Sequence, residues 1–149
     1  MTPVIFLDID GVLNSREYLL SLPKPEGLIV EASIEHHIDP VRVERLNKIG
    51  GAIVISSTWR LFHSHVEIGA MLERRGLRSR SLVLGATPDL GNRGDEITHW
   101  VSRRKLDRFV VLDDTDDGLR RFGRRFIHVR DGLEDAHVER AIELLRRKP

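Results

Sequence analysis

The chain contains no cysteine, no long apolar run and no excess of charge of one sign, and each absence excludes a class of protein. Without cysteine, neither disulfides nor thiolate metal sites can form. No apolar run approaches the roughly 18 residues that a membrane helix needs. The formal net charge of the 149 residues is +1, so no large field attracts nucleic acid or a membrane surface. The first residues lack the basic region of a secretory signal, and we expect a cytoplasmic protein.

Short apolar runs alternate with stretches of helical character along the sequence. Five of the runs predict buried strands, at Val4–Leu7, Ala52–Ile55, Ser81–Leu84, Phe109–Leu112 and Phe126–Val129. Buried strands separated by helices predict an α/β fold, with a central parallel sheet of about five strands and helices on both faces. No linker or repeat interrupts the chain, so residues 1–149 are predicted to form a single domain.

Helix boundaries are marked by residues that favour the ends of helices. Asp39 is a predicted N-cap, Pro40 suits the first helical position, and Gly50 suits the position after the last turn. Further helices are predicted at Ser64–Arg75, Asp95–Arg104, Asp117–Phe122 and Glu134–Arg147. Residues 15–38, which include two prolines, are predicted to be irregular.

Three predicted strands run directly into acidic or hydroxyl side chains. The first strand ends in Asp8 and Asp10, the second in Ser56, and the fourth in Asp113 and Asp114. The carboxyl ends of parallel strands share one edge of a sheet, where α/β domains place their sites. Carboxylates that converge there repel one another, and a divalent cation relieves the repulsion. Oxygen ligands favour Mg²⁺ over zinc or copper, so we expect a magnesium site.

Two simpler explanations of these acids compete with a magnesium site. Aspartate is common at helix caps and turns, which accounts for any one of these residues more easily than for all of them. The segment from Asp113 also begins like a calcium-binding EF-hand loop, but its twelfth position is Arg124, where a bidentate glutamate is required. It follows a predicted strand rather than a helix, so we do not expect a calcium loop.

Three motifs resemble those of haloacid dehalogenase (HAD) phosphatases. The first motif of that superfamily is similar to FLDIDGVLN, the second to AIVISS and the fourth to FVVLDDTDD. Small stand-alone HAD domains associated with RNA-repair systems are similar to this chain also in STWR and GLEDAHVERAIELL. The resemblance implies a HAD-like Rossmannoid three-layer sandwich. It also implies Mg²⁺-dependent hydrolysis of a phosphomonoester.

The resemblance assigns roles to the residues that match its motifs. Asp8 is the implied nucleophile, which attacks phosphorus and forms an aspartyl-phosphate. Asp10 is the implied general acid, which later activates the water that cleaves this intermediate. Asp8, the backbone carbonyl of Asp10, and Asp114 are the implied ligands of Mg²⁺, with Asp113 close behind them. Ser56 is expected to hydrogen-bond a phosphoryl oxygen.

The superfamily also has a basic third motif, usually a lysine, ahead of its fourth strand. The best candidate here is Arg93, which departs from that pattern and lies at the start of a predicted helix. Its forked guanidinium group can bridge a phosphate and Asp8 through two sets of hydrogen bonds. Arg103, Arg104 and Lys105 are alternatives for the same role.

Several other residues have weaker functional interpretations. Arg60 and Asn14 are candidates for contact with the substrate, although Arg60 suits an ion pair at least as well. Trp59 suits core packing better than stacking on a base. Solvent exposure explains the histidines better than metal binding does, namely His36, His37, His63 and His65. Four arginines follow the fourth motif, namely Arg120, Arg121, Arg124 and Arg125. A solvent-facing helix whose arginines pair with Asp116 and Asp117 explains them better than a surface that binds a polynucleotide.

The insertion between the first and second motifs sets how open the site is. Residues 15–38 are about 24 residues long, below the roughly 40 that an independent domain needs. We therefore expect an essentially capless enzyme in which these residues form a flap. An open site suits a bulky substrate such as a nucleic acid end or a phosphoprotein. A nucleotide or sugar phosphate is the alternative, with a dimer partner closing the site.

Two rival functions differ from a HAD phosphatase in the order of their motifs or in their catalytic residues. Receiver domains and Toprim nucleases also bind magnesium through carboxylates, but the order of their acidic motifs along the chain does not fit this sequence. A non-catalytic HAD-like binding module is expected to have lost Asp8 or Asp10, and both are present.

Overall fold

A five-stranded sheet forms the centre of the computed structural model, which describes residues 2–23 and 34–146. The strands are β1 (Val4–Leu7), β2 (Ala52–Ile55), β3 (Val83–Ala86), β4 (Phe109–Asp113) and β5 (Phe126–His128). Across the sheet they follow the order β3-β2-β1-β4-β5, and every neighbouring pair is parallel. The predicted α/β fold, with a parallel sheet of about five strands, is confirmed.

The described residues form five α-helices. They are α1 (Arg16–Ser21), α2 (Pro40–Ile49), α3 (His65–Arg74), α4 (Arg93–Arg104) and α5 (Asp135–Arg146). Segments of 3₁₀ helix lie at Ile34–His37, Thr58–Leu61, Arg80–Leu82 and Leu119–Arg125. Across residues 2–23 and 34–146, no helix combines the length and apolar character needed to cross a membrane.

The sheet is covered on both faces, which gives three layers. One face packs against α2, α3 and α5 through residues such as Leu46, Leu72 and Ala141. The opposite face packs against α4 through Ile97 and Trp100. Every residue of β1, β2 and β4 is buried, which is why these strands are nearly continuous apolar runs. Each large apolar side chain buried in this way contributes about 2 kcal/mol to folding.

The ends of α2 and α3 are fixed by the capping residues in the sequence. The side chain of Asp39 accepts a hydrogen bond of 3.0 Å from the N–H of Val41, and Pro40 begins the helix. Ser64 and Glu67 form a reciprocal capping box at the start of α3. Such caps are worth about 1 kcal/mol each, and they explain why both helices begin where predicted.

Part of the segment predicted to be irregular is helical. Ser15 caps α1, because its hydroxyl accepts a hydrogen bond of 3.1 Å from the N–H of Tyr18. The predicted flap, residues 15–38, thus contains α1 and a 3₁₀ turn. Residues 24–33 of the flap lie outside the described residues.

Two further elements differ from prediction for local reasons. The third strand begins at Val83 rather than Ser81, because Ser79 caps a 3₁₀ turn that occupies the preceding residues. The segment after β4 is a 3₁₀ helix rather than an α-helix, and it kinks at Gly123, where φ is 57°. Smaller differences are that β4 ends one residue later than predicted, at Asp113, that β5 ends one residue earlier, at His128, and that α4 begins two residues earlier, at Arg93.

Candidate active site

The register of β1 against β4 sets the acids at the ends of these strands side by side. Leu7 pairs with Leu112, so Asp8 and Asp113 are neighbours across the sheet. The N–H of Asp8 donates to the carbonyl of Leu112 at 3.0 Å. Asp8, Asp113 and Asp114 each offer a carboxylate oxygen, and these oxygens lie within 4.8 Å of one another. The structure thus gathers three of the four predicted acids in one cluster.

Gly11 is required where the chain turns beneath this cluster. Its φ is +81°, in the region that side chains rarely adopt. A Cβ added at this position would lie 2.6 Å from Cγ of Asp114. The absence of a side chain at Gly11 therefore makes room for the Asp114 carboxylate.

Arg93 is the cation at the centre of the acidic cluster. Its Nη1 lies 2.7 Å from Oδ2 of Asp113 and 3.2 Å from Oδ2 of Asp8. The other candidates for the basic third motif lie in the last turn of α4 or just after it, at the far end of the helix from Arg93. A helix of 12 residues spans about 18 Å, so they cannot take its place.

The first turn of α4 is held in place by the loop after β4. The carboxylate of Asp117 accepts hydrogen bonds from the N–H of Arg93 and from the side-chain amide of Asn92, both at 3.1 Å. The carbonyl of Asp117 accepts a bond of 3.0 Å from the N–H of Gly94. A side chain at Gly94 would overlap the carbonyl oxygen of Gly118, so the close approach of these two segments needs glycine. These bonds fix where the Arg93 side chain begins.

The cluster carries more negative charge than Arg93 offsets. Burial raises the pKa of Asp8 to about 9, and the negative charges of Asp113 and Asp114 add to this effect. Burial also raises the pKa of Asp113, although Arg93 and Thr115 stabilise its ionised form. When no further cation is present, both shifts favour the protonated forms of these carboxyl groups.

The donor set fits a hard divalent cation. Asp113 uses both of its oxygens internally, since Oδ1 accepts bonds from the N–H and hydroxyl of Thr115, at 2.9 and 3.0 Å, and Oδ2 contacts Arg93. This leaves Asp8 and Asp114 as the carboxylates best placed to bind a metal, with Asp113 behind them. Carboxylate oxygens with excess negative charge suit Mg²⁺.

Asp10 lies beside the cluster and is held by two side chains. Nδ2 of Asn14 and Nε1 of Trp59 each donate to one of its carboxylate oxygens, at 3.1 Å in both cases. Oδ1 of Asn14 also accepts a bond of 2.8 Å from the N–H of Gly11. Asn14 and Trp59 are both buried, whereas Asp10 is exposed. Asp10 therefore points to solvent in an orientation fixed by two buried donors.

Ser56 follows β2 and has an unused hydroxyl. Its backbone N–H donates to the carbonyl of Leu7 at 2.8 Å, which ties it to β1 directly before Asp8. The residue is only 1% exposed, yet its Oγ has no hydrogen-bond partner within the described part of the chain. A buried hydroxyl without a partner is costly, so this atom is suited to meet a ligand oxygen.

Comparison with known proteins identifies the superfamily. A profile of the family described as the HAD domain in Swiss Army Knife RNA repair proteins matches residues 4–138 of the 149. The chain belongs to this family. No curated protein sequence matches it significantly. Membership confirms the resemblance seen in the motifs, assigns the sheet to the HAD type of Rossmann-like fold, and implies hydrolase activity of the phosphatase type.

Arg60 of this HAD domain forms an ion pair, the interpretation that the sequence favoured over contact with substrate. Its Nη2 forms a 2.9 Å ion pair with Glu96, and both side chains are buried. Its Nε and Nη1 donate to the carbonyls of Thr87 and Ser57, at 3.0 and 2.8 Å. Through these contacts Arg60 connects the segment after β2 to α4, and its guanidinium group is engaged within the protein.

Trp59 of the HAD domain is packed in the core, as the sequence favours. Of the four histidines, His36 is exposed, whereas His37, His63 and His65 are half-buried, and His63 lies 3.6 Å from Glu67. In the arginine cluster, Arg120 pairs with Asp116, whereas Arg121 pairs with Asp95 of α4 rather than with Asp117.

Sequence reasoning missed three supporting contacts around the acids. These are the bond from Trp59 to Asp10, the bonds that the start of α4 donates to Asp117, and the 2.9 Å contact between Nε2 of His128 and the carbonyl of Asp114. Each joins residues at least 14 positions apart, so no local pattern in the sequence signals them.

Proposed function

We propose that this HAD domain hydrolyses phosphomonoesters with Mg²⁺ through an aspartyl-phosphate on Asp8. The observation that carries the proposal is the position of the buried Asp8 carboxylate, which contacts Arg93 and lies within 4.8 Å of carboxylate oxygens of Asp113 and Asp114. A nucleophilic carboxylate and an anionic phosphate repel each other, so such a reaction needs fixed positive charge at this point.

In the first step an oxygen of Asp8 forms a bond to phosphorus while the bond from phosphorus to the ester oxygen breaks. Asp10 gives its proton to the departing oxygen, which leaves as an alcohol. In the second step water attacks the phosphorus of the aspartyl-phosphate, and Asp10 takes up a proton from that water. The bond between phosphorus and Asp8 breaks, which releases inorganic phosphate and restores both carboxyl groups.

The remaining residues bind and neutralise the phosphoryl group. Arg93 lies between Asp8 and Asp113 and supplies a fixed cation for the phosphoryl oxygens. The free hydroxyl of Ser56 is proposed to donate to one of these oxygens. Asp8, Asp114 and the backbone carbonyl of Asp10 would hold Mg²⁺. When bound, this ion supplies charge that offsets both the carboxylates and the phosphate.

The proposed substrate is a phosphorylated nucleic acid end. Two observations support it, namely the family's occurrence in RNA repair proteins and the insertion of about 24 residues between the first and second motifs, which is too short for a separate cap domain. A small-molecule phosphatase is the second candidate within the same chemistry. A non-catalytic HAD module is the third, and the presence of Asp8, Asp10 and Arg93 in one site argues against it.

A screen of phosphomonoesters tests the proposed reaction. The protein is assayed for phosphate release with Mg²⁺ and with a chelator, on nucleotides, sugar phosphates, and oligonucleotides carrying a 3′- or 5′-phosphate. We expect turnover that needs Mg²⁺ and is abolished by Asp8→Asn, with the fold retained by circular dichroism. Asp107→Asn, an exposed aspartate just before β4, is the matched control and should retain activity. Turnover by the Asp8→Asn protein would remove the proposed nucleophile.

A further inference from the structure

A basic pocket, here called the β5 pocket, lies along the outer edge of the sheet. It has a volume of about 450 Å³ and is lined by Arg120, Gly123, Phe126, His128, Arg130 and Arg140. β5 is the last strand in the sheet order, so within the part of the chain that the structure describes no strand pairs with this side of it. The lining combines β5 with the 3₁₀ segment before it and α5 after it.

The charges in the β5 pocket are only partly offset. Arg120 pairs with Asp116. Arg130 and Arg140 form no ion pair with any carboxylate in residues 2–23 and 34–146. The whole chain is nearly neutral, at +1, so two unpaired guanidinium groups in one concave site make a local excess of positive charge.

The β5 pocket is fixed relative to the proposed active site. His128 of the pocket pairs with Asp113 across β4 and β5, and its Nε2 contacts the carbonyl of Asp114 at 2.9 Å. Two strand spacings, about 10 Å, separate the end of β1 from the end of β5. The end of the pocket formed by His128 therefore lies about two strands away from Asp8, on the same side of the sheet as β4.

The segment that carries Arg130 is hydrogen-bonded to the end of β4 and to the loop after β1. The N–H of Val129 donates to the carbonyl of Asp113 at 2.9 Å, and the N–H of Gly132 donates to the carbonyl of Gly11 at 2.8 Å. Arg130 thus projects from a short backbone stretch that is held on either side by the loops of the acidic cluster. A group bound by Arg130 would be placed at a defined distance from Asp8.

We propose that the β5 pocket binds a second phosphate group of the substrate whose first phosphate reacts at Asp8. The inference rests on the proposed function and deepens it. Guanidinium groups bind phosphate through paired hydrogen bonds, and Arg130 and Arg140 have their donors available for this. The second phosphate is either the next phosphodiester of a nucleic acid or the second monoester of a small bisphosphate.

The test compares substrates with one and with two phosphate groups. kcat/KM is measured for adenosine 3′- and 5′-monophosphate, for adenosine 3′,5′-bisphosphate, and for tetranucleotides with a terminal phosphate. The variant is Arg130→Gln with Arg140→Gln. The control is Arg78→Gln with Arg103→Gln, which removes the same charge from two exposed arginines outside the lining of the pocket.

We expect kcat/KM of the wild type to be higher for substrates with a second phosphate than for those with one. In the Arg130→Gln/Arg140→Gln protein the ratio of these two values should fall by at least about tenfold. For the tetranucleotides, the slope of log KM against log salt should fall by up to about 2. The control should keep both properties. A preference for the bisphosphate alone would assign the pocket to small molecules, and one for the tetranucleotides alone would assign it to nucleic acid.

Direct binding separates failure of the pocket from failure of the reaction. The same probes are titrated calorimetrically into Asp8→Asn protein with and without the two pocket substitutions. Equal affinities would overturn the β5 pocket even if phosphate release proceeds normally. If the wild type releases no phosphate but the pocket substitutions weaken binding of the two-phosphate probes, the proposed reaction fails and the pocket stands.

Discussion

Nη1 of Arg93 lies 3.2 Å from Oδ2 of Asp8, the proposed nucleophile. Arg93 belongs to α4, which packs on one face of the sheet, whereas α2, α3 and α5 pack on the other. Nη1 of Arg93 also contacts Asp113 at 2.7 Å. Arg93 is therefore positioned before any substrate arrives, which lowers the reorganisation needed in the reaction.

Replacing Arg93 should slow the reaction far more than it changes the fold. We expect Arg93→Ala to lower kcat by about 10³-fold, because the fixed charge beside the phosphoryl group is lost. Arg93→Lys should recover part of the rate, since it restores a charge without the fork. Arg103→Ala, at the other end of α4, is the control. An unchanged kcat in Arg93→Ala would transfer the role to another basic residue.

The raised pKa of Asp8 predicts that the protein is less stable at high pH when no divalent cation is present. The ordinary pKa of 3.8 applies to the unfolded chain, whereas the folded protein holds the proton up to about pH 9. This contribution to stability is complete below about pH 4 and is lost as the pH rises towards 9. The slope is at most about 1.4 kcal/mol per pH unit. Urea unfolding in chelator across this range measures it.

Two controls isolate Asp8 in that experiment. The Asp8→Asn protein has no carboxyl group to titrate at this position, so its slope should be smaller. Saturating Mg²⁺ should reverse the trend, because the ion binds the ionised carboxylates of the folded state. A wild-type slope identical to that of Asp8→Asn would show that Asp8 does not hold the proton.

Gly11 should not tolerate a side chain, for a reason beyond its backbone angle. Gly11→Ala places a Cβ against Asp114, whereas Gly50→Ala, at a similar φ of +74°, places one in open space. Backbone strain of about 1–3 kcal/mol is common to both variants. We expect Gly11→Ala to weaken Mg²⁺ binding as well, measured by calorimetry, and Gly50→Ala to leave it intact. Equal Mg²⁺ affinity in both variants would contradict the proposed role of Asp114.

Trp59 is predicted to be a positioning residue for Asp10. Trp59→Phe keeps most of the packing and removes the 3.1 Å bond to the Asp10 carboxylate. We expect kcat to fall about tenfold with little change in KM, because the bond orients the proton donor rather than the substrate. In a double-mutant cycle with Asp10→Asn, the two effects should not add. Additive effects would make Trp59 purely structural.

Arg60 should affect stability rather than substrate binding. Its guanidinium and the Glu96 carboxylate are both buried, at 7% and 3% side-chain exposure. Removing one partner leaves a buried charge, so Arg60→Met should cost about 3–5 kcal/mol in the free energy of unfolding. Arg60→Met combined with Glu96→Leu should recover part of that loss. A stable Arg60→Met protein with a raised KM would restore the predicted substrate contact.

The sequence was most informative where local chemistry determines structure. Apolar runs without interruption marked β1, β2 and β4, because central parallel strands are buried on both faces. Caps such as Asp39 and Ser64 marked helix starts, because they act on backbone groups within three residues. Prediction was less accurate at β3, where a 3₁₀ turn capped by Ser79 displaced the strand.

The sequence by itself determined which residues carry the chemistry, since acids after buried strands and a basic residue at a helix start are local patterns. The tertiary structure alone decided which of them meet. The strand register places Asp8 beside Asp113. The hydrogen bonds that Asp117 accepts from the start of α4 position Arg93 so that it contacts both. The tertiary structure also pairs Arg60 with Glu96 in the interior. It brings Arg130 and Arg140 together at the edge of β5. Contacts between distant residues depend on packing geometry, which no short stretch of sequence contains.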